Sequence, residues 1–232
     1  MDIRNTLVFI GFTFGVLINL NNLLMGKHIK QKNAISVSLT DFIDFVNKSG
    51  NSKMTKVKQV KYRNPYHPAS DFYKTFREEI IEIHKTNNDK KVLDNLLNKL
   101  TDLKKKVNYP ISIDGYKKFW GKKKIEWFDP PFHHWLAGDL DIKINPELGL
   151  TFDNKFYVIK LFLKADKITK DKLSQILSLM ESQLRKETGD EIIFAVLDVK
   201  NSKLYENIKG DSTYLPLLEG EAKSFEAIWK AI

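Results

Sequence analysis

One short stretch restricts this chain more than any other, because between Leu140 and Lys164 the side chains alternate with the period of a β-strand. Leu140, Ile142 and Ile144 alternate with Asp139, Asp141, Lys143 and Asn145, which gives one apolar and one polar face. Pro146 ends that run. Two more runs, 147–152 and 155–164, are joined by Asp153-Asn154, a pair that tolerates the left-handed conformations of a two-residue hairpin turn. Taken literally, the turn sets a register: Phe152 faces Lys155, Leu150 faces Tyr157, Gly149 faces Val158, Leu148 faces Ile159 and Glu147 faces Lys160. Leu148, Leu150, Tyr157, Ile159, Leu161 and Leu163 then share one side, which needs a cover.

The expected cover is a helix over 170–186, capped by Thr169, with Leu173, Ile176, Leu177, Met180 and Leu184 in one stripe and Gly189 as its stop. Residues 192–199 are almost continuously apolar, as a strand covered on both faces would be. Residues 203–206 follow a turn, and Ala222, Phe225, Ile228 and Trp229 mark a last amphipathic helix. The expected fold is α+β. Its core is an antiparallel β-meander with a covering amphipathic helix and a buried fourth strand, a helix-βββ-helix-β order joined to a helical N-terminal half.

In that half, Ser38 to Asp41 offers caps to a short helix carrying Phe42, Phe45 and Val46. Residues 53–63 alternate poorly but hold Val57, Val60 and Tyr62, and read as an edge strand or extended arm. Phe72, Tyr73, Phe76, Ile80 and Ile83 recur at helical spacing behind Ser70, with Arg77 turned outward. A further helix is expected over 90–106. Residues 107–132 read as irregular, with a short helix around Tyr116 to Trp120 and a break at Pro130-Pro131.

Residues 6–25 contain no charge and have the length a bilayer requires. Asn19, Asn21 and Asn22 crowd the end of that run, so a membrane anchor, a buried helix and a segment upstream of a start at Met25 all stay open. Lys27, Lys30 and Lys32 follow it, a bias that would leave the folded part in the cytoplasm, anchored in the inner membrane. Gly11 and Gly15 have the spacing at which two such helices approach closely as a dimer. The expected division is a hydrophobic segment over 1–25, a basic linker over 26–37 and one α+β domain over 38–232.

The absence of cysteine excludes disulfides, thiolate metal sites and thiol nucleophiles. The net charge of +9 lies wholly in residues 1–150, which hold 25 Lys and Arg against 16 Asp and Glu. One cluster comprises Lys53, Lys56, Lys58, Lys61 and Arg63, and another Lys117, Lys118, Lys122, Lys123 and Lys124. Tyr62, Tyr66, Phe119, Trp120 and Trp127 lie nearby. Lysines that neutralise phosphates, with aromatics able to stack on bases, point to DNA or RNA. The same charge beyond an anchor suits an anionic membrane surface.

Phosphate-cradling glycine loops, G-x-S-x-G and H-E-x-x-H are all absent from the sequence. The polar side of the predicted sheet gathers Asp139, Asp141, Lys143, Glu147 and Lys160, just downstream of His133 and His134. Carboxylates so placed suit a hard metal, and a Glu147–Lys160 pair equally suits a solvated face. The order helix, three-strand meander, helix, strand over about 70–199 resembles the core of the PD-(D/E)XK nuclease superfamily. The resemblance implies an acid on the second strand and an E-x-K on the third, holding Mg2+ or Mn2+ while the lysine positions water. Glu147 falls near the first acid, with Asp141 as a second candidate ligand, and Lys160 matches the lysine. Val158 stands where the middle acid belongs, and Glu181 on the next helix is the candidate replacement. From about Val37 onward the chain also looks like a group of bacterial proteins to which no activity attaches. The expected function is nucleic-acid binding on a degenerate, inactive nuclease-like core. The alternative is a membrane-tethered protein-interaction module without catalysis.

Overall fold

The computed structural model describes residues 34–65, 71–207 and 209–232. It opens on β1 (Ile35–Ser38) and turns at once into α1 (Leu39–Val46), because the Ser38 hydroxyl accepts the Asp41 N–H and caps the helix. Four helices follow: α2 (Asn51–Lys61), α3 (Lys74–Lys85), α4 (Val92–Asn98) and α5 (Leu103–Trp120). Then come β2 (Glu126–Phe128), β3 (His133–Ala137), β4 (Leu140–Ile144), β5 (Leu148–Phe152) and β6 (Lys155–Phe162). The chain finishes with α6 (Lys170–Leu184), β7 (Ile192–Asp198), β8 (Lys203–Glu206) and α7 (Leu215–Ala231). The fold is α+β with a helical N-terminal half, as the periodicity predicts. The apolar segment 6–25 with Gly11 and Gly15, the linker as far as residue 33, and Tyr66, His67 and Ser70 lie outside the described residues. Among the described residues no helix is long and apolar enough to cross a membrane.

The hairpin register is the predicted one. Asp153 and Asn154 sit at φ of 50° and 58°, and Leu148, Gly149, Leu150 and Phe152 pair with Ile159, Val158, Tyr157 and Lys155. The larger sheet has the order β2-β5-β6-β7-β8, in which only β6 and β7 run parallel. The smaller sheet is β1-β4-β3. Residues 140–144 are thus not the first strand of the meander. They pair with β3 and with Ile35–Ser38, which reaches back into the expected linker, and β2 takes the place beside β5. Gly149 permits this, since a Cβ there would lie 2.3 Å from the Phe128 carbonyl oxygen.

The helical cover also differs from expectation. Leu148, Leu150, Tyr157, Ile159, Leu161 and Leu163 pack with Phe76, Ile80, Leu93, Tyr109, Ile113 and Tyr116, so α3, α4 and α5 cover that face. The α6 stripe lies instead on the other side, with Val158, Phe162, Phe194 and Val196, alongside α1 and α7. A strand buried on both faces needs two covers, and periodicity says nothing about which stripe meets which face.

Two N-terminal expectations are corrected. Residues 51–61 form α2 rather than an edge strand: Val57 is buried and so is Lys56, whose ammonium reaches Asp41 at 2.8 Å. A lysine read as polar hides a helical stripe when its aliphatic stem is what packs. The helix expected over 90–106 breaks before Asp102, which accepts the Lys104 and Lys105 N–H groups and starts α5. That helix runs through Pro110 to Trp120, across the span read as irregular. Gly115 lets it approach the end of β7, where a Cβ would lie 2.1 Å from the Val199 carbonyl oxygen.

Helices α3 and α5 meet at His84, whose Nε2 lies 2.6 Å from the Tyr116 hydroxyl and whose ring stacks on Trp120 at 4.3 Å. Burial lowers the His84 pKa from 6.5 to about 4 and raises the Tyr116 phenol well above its usual value. With both groups neutral, one proton serves this contact, and the histidine tautomer sets which of the two donates it. The unfolded chain protonates this histidine at a higher pH than the folded one. Its contribution to stability is therefore full above about pH 6.5 and is lost as pH falls toward 4. Urea unfolding should show a loss approaching roughly 3 kcal/mol across that window, and His84→Gln should flatten that part of the pH profile.

Candidate functional site

Glu147 directly precedes β5 and Lys160 lies on β6, one register step beyond the Leu148–Ile159 pair. The ammonium of Lys160 donates to Glu147 Oε1 at 2.6 Å and to the Asn145 carbonyl at 3.0 Å. The second carboxylate oxygen, Oε2, accepts the Leu161 N–H at 2.8 Å. Both side chains are nearly buried, at 12% exposure for Glu147 and 10% for Lys160. The expected cross-strand pair is therefore present, but it is not on a solvated face.

The pair lies on the floor of an open cleft of about 600 Å³. One wall is the stripe Arg77, Ile81 and Lys85 of α3, and others come from Ser38 to Thr40 and from Trp127 to Pro130. Arg77 holds Asp71 through both carboxylate oxygens, at 3.2 and 2.5 Å. Lys85 lies 3.5 Å from Asp129 and 5.4 Å from the centre of the Trp127 ring. The cleft thus joins three cations, Arg77, Lys85 and Lys160, to three carboxylates, Asp71, Asp129 and Glu147. Wall cations paired with more exposed carboxylates, above a nearly buried ion pair, can exchange those carboxylates for an anionic ligand. Arg77, Ile81 and Lys85 stand at i, i+4 and i+8. That spacing was visible in the sequence, but without the fold it did not say what the stripe faced.

The other predicted site residues are elsewhere. Glu181 on α6 accepts Arg185 Nε at 2.6 Å, Arg185 Nη2 at 2.9 Å and Asn207 Nδ2 at 3.2 Å, beside Gly210. Asp141 on β4 lies 2.7 Å from His134 Nδ1, and His133 Nδ1 lies 2.8 Å from Glu187. Neither Glu181 nor Asp141 lines the cleft. Val158 is wholly buried in the α6-side core. Among the described residues no group of three or more His, Asp or Glu side chains could hold a metal ion. The donor set that the nuclease resemblance implies for Mg2+ or Mn2+ is not assembled among the described residues: Glu147 is bonded to Lys160 and the Leu161 N–H, and its candidate co-ligands Asp141 and Glu181 do not line the cleft.

The two basic clusters fare differently. Lys53 pairs with Glu221, Lys56 with Asp41 and Asp44, and Arg63 with Asp41 at 2.9 Å, while Lys61 donates to the carbonyls of Trp229 and Ile232. Burial alone would raise the Asp41 carboxyl, but the hydrogen bonds from Arg63 and Lys56 outweigh it and hold that group well below the usual carboxylate range. Only Lys58 of that cluster is exposed without an ion pair among the described residues. In the second cluster Lys117 pairs with Asp94, and Lys123 donates to the Phe119 carbonyl and lies over the Phe119 ring. Lys118, Lys122 and Lys124 are exposed and make no ion pair among the described residues. Tyr62 is exposed, whereas Trp120 is committed to His84.

Comparison with protein-family models, with curated proteins and with solved structures gives no match. The site is therefore characterised by its own geometry. Removing one partner of a nearly buried pair strands the other, so Lys160→Met alone should cost roughly 3 kcal/mol or more in urea unfolding at pH 7. Glu147→Gln together with Lys160→Met should cost clearly less than the sum of the two single changes. Additive losses would mean that the pair is not coupled.

Proposed function

We propose that this protein binds nucleic acid on a nuclease-like core and does not carry out metal-dependent cleavage. The observation that supports the reading is the joining of Glu147, just before β5, to Lys160 on β6 at the floor of an open cleft. Within the larger sheet, α5 is followed by three antiparallel strands, β2, β5 and β6, then by α6 and the parallel strand β7, with β3 and β4 of the smaller sheet inserted between β2 and β5; this part of the order supports the resemblance in the same region. The lack of cleavage is argued from Val158, Glu181 and Asp141, none of which adds a carboxylate to the pair.

The exposed lysines are close enough to serve the same ligand. Lys122 and Lys124 lead directly into β2, whose Trp127 lines the cleft, and three residues of extended chain span roughly 10 Å. A strand laid along that edge meets these lysines first and the Arg77 and Lys85 wall next. Each phosphate neutralised releases counterions, so affinity should fall steeply with salt. The expected anisotropy result is binding of single-stranded or duplex oligonucleotides at low salt that weakens at least tenfold between about 50 and 200 mM salt. Lys122→Glu with Lys124→Glu should weaken it further and lower the salt slope. No binding at low salt would overturn the proposal, and cleavage with Mg2+ or Mn2+ that disappears in Lys160→Ala would replace it with an active nuclease.

Attachment of the domain to a membrane through residues 6–25 belongs to the same proposal, with the uncharged run and its following lysines as support. Recovery of the full-length protein wholly in the soluble fraction would remove it.

A further inference from the structure

Helix α5 has two apolar faces. The inner one packs Tyr109, Ile113, Tyr116 and Phe119 into the core. The outer one is made of Leu103, Val107 and Ile111, which are 77%, 71% and 55% exposed. At 100° per residue these three lie along one stripe, diametrically opposite the buried face. Single exposed aliphatic residues are ordinary, but three in a continuous row form a patch that water disfavours.

The surroundings of the stripe indicate what covers it. Its flanks carry Lys104 and Lys106, and Lys99 and Lys118 stand beyond its two ends. All four are exposed and form no ion pair among the described residues. Nearby acids are fewer: Asp102 is occupied in capping the helix, and Asp114 lies past Ile111. The stripe contains no Trp, Tyr or Arg, the residues that anchor most protein interfaces, and it lies on a convex helix surface rather than in a groove. Aliphatic side chains flanked by lysines, whose long stems let the ammonium groups rise to headgroup level, match the boundary of an anionic bilayer. We propose that the outer face of α5 docks this protein on an anionic lipid surface, with Leu103, Val107 and Ile111 entering the acyl boundary and Lys104 and Lys106 meeting lipid phosphates. This inference uses the first half of α5 and does not rest on the nucleic-acid reading, which uses the lysines after its end.

The absence of cysteine permits a clean test on the full chain. An environment-sensitive fluorophore on Val107→Cys should shift to the blue with phosphatidylcholine vesicles that contain phosphatidylglycerol, and stay unmoved with phosphatidylcholine alone. The same label on Ala165→Cys, in the loop before α6, should not move with either. Adding Lys104→Glu and Lys106→Glu should weaken the response on the order of tenfold or more, given the contribution of each lysine near an anionic leaflet. A Val107→Cys label that stays unmoved while the protein pellets with anionic vesicles would overturn docking by α5. So would a label already shielded without vesicles, which means that another part of the chain covers the stripe. A shift that grows with protein concentration alone would assign the face to a second copy instead.

Discussion

The two-residue turn at Asp153 and Asn154 is the constraint on which both the core and the cleft depend. Both residues hold positive φ, so the turn twists in the sense of the strands it joins and fixes their register. A slip of one residue would send Tyr157, Ile159 and Leu161 to the side of α6 and drive Lys160 into the core beneath α3 to α5. Because β6 is covered on both faces, neither side tolerates the exchange. The same register delivers Lys160 to Glu147, so the ion pair is a consequence of the hairpin rather than an independent feature.

Strand-level features were largely legible in the sequence, because alternation and a turn pair are local. The hairpin and its register, the buried strand at 192–198 and the helix behind Thr169 all follow from neighbouring residues. What covers each face was not legible. The stripe of α6 suits either side of the sheet, and only the parallel step from β6 to β7 decides it. Similarly, β2 is three residues long with no periodicity to detect, and its place beside β5 depends on Gly149, whose missing side chain reads as a weak strand residue. Of the candidate site, Glu147 and Lys160 were legible because register alone joins them. Where Glu181 and Asp141 lie was not legible, because it depends on partners that the fold supplies, Arg185 and Asn207 for one and His134 for the other.

Charge was the least transferable signal. The lysines of 53–61 and Arg63 look like a footprint for an anionic partner, yet most of them are held inside the protein by Asp41, Asp44, Glu221 and the C-terminal helix. They join α2 to α1 and α7. The lysines around α5 differ, since Lys104, Lys106, Lys118, Lys122 and Lys124 are exposed and make no ion pair among the described residues. Sequence clustering locates charge along the chain, but whether a cluster is a surface or a seam depends on which acids the fold brings to it.

Val158 stands where the nuclease resemblance would place an acid. It and Lys160 are two residues apart on the same side of β6, roughly 7 Å along the strand. One is wholly buried with Phe162 and Phe194, and the other lies on the cleft floor with a bonded carboxylate. Lys160 thus opens to the cleft from a strand face on which its neighbours Val158 and Phe162 both belong to the dry core. An acid at position 158 would sit on the dry side, where an unpaired carboxylate costs several kcal/mol or stays protonated. Only a metal held jointly with Glu147 would offset that cost, and Glu147 is already bound at both oxygens by Lys160 and the Leu161 N–H. A ligand entering this cleft thus meets a closed ion pair at its base. Its affinity has to come from the walls, from Arg77 and Lys85, whose carboxylate partners are more exposed and so more readily exchanged.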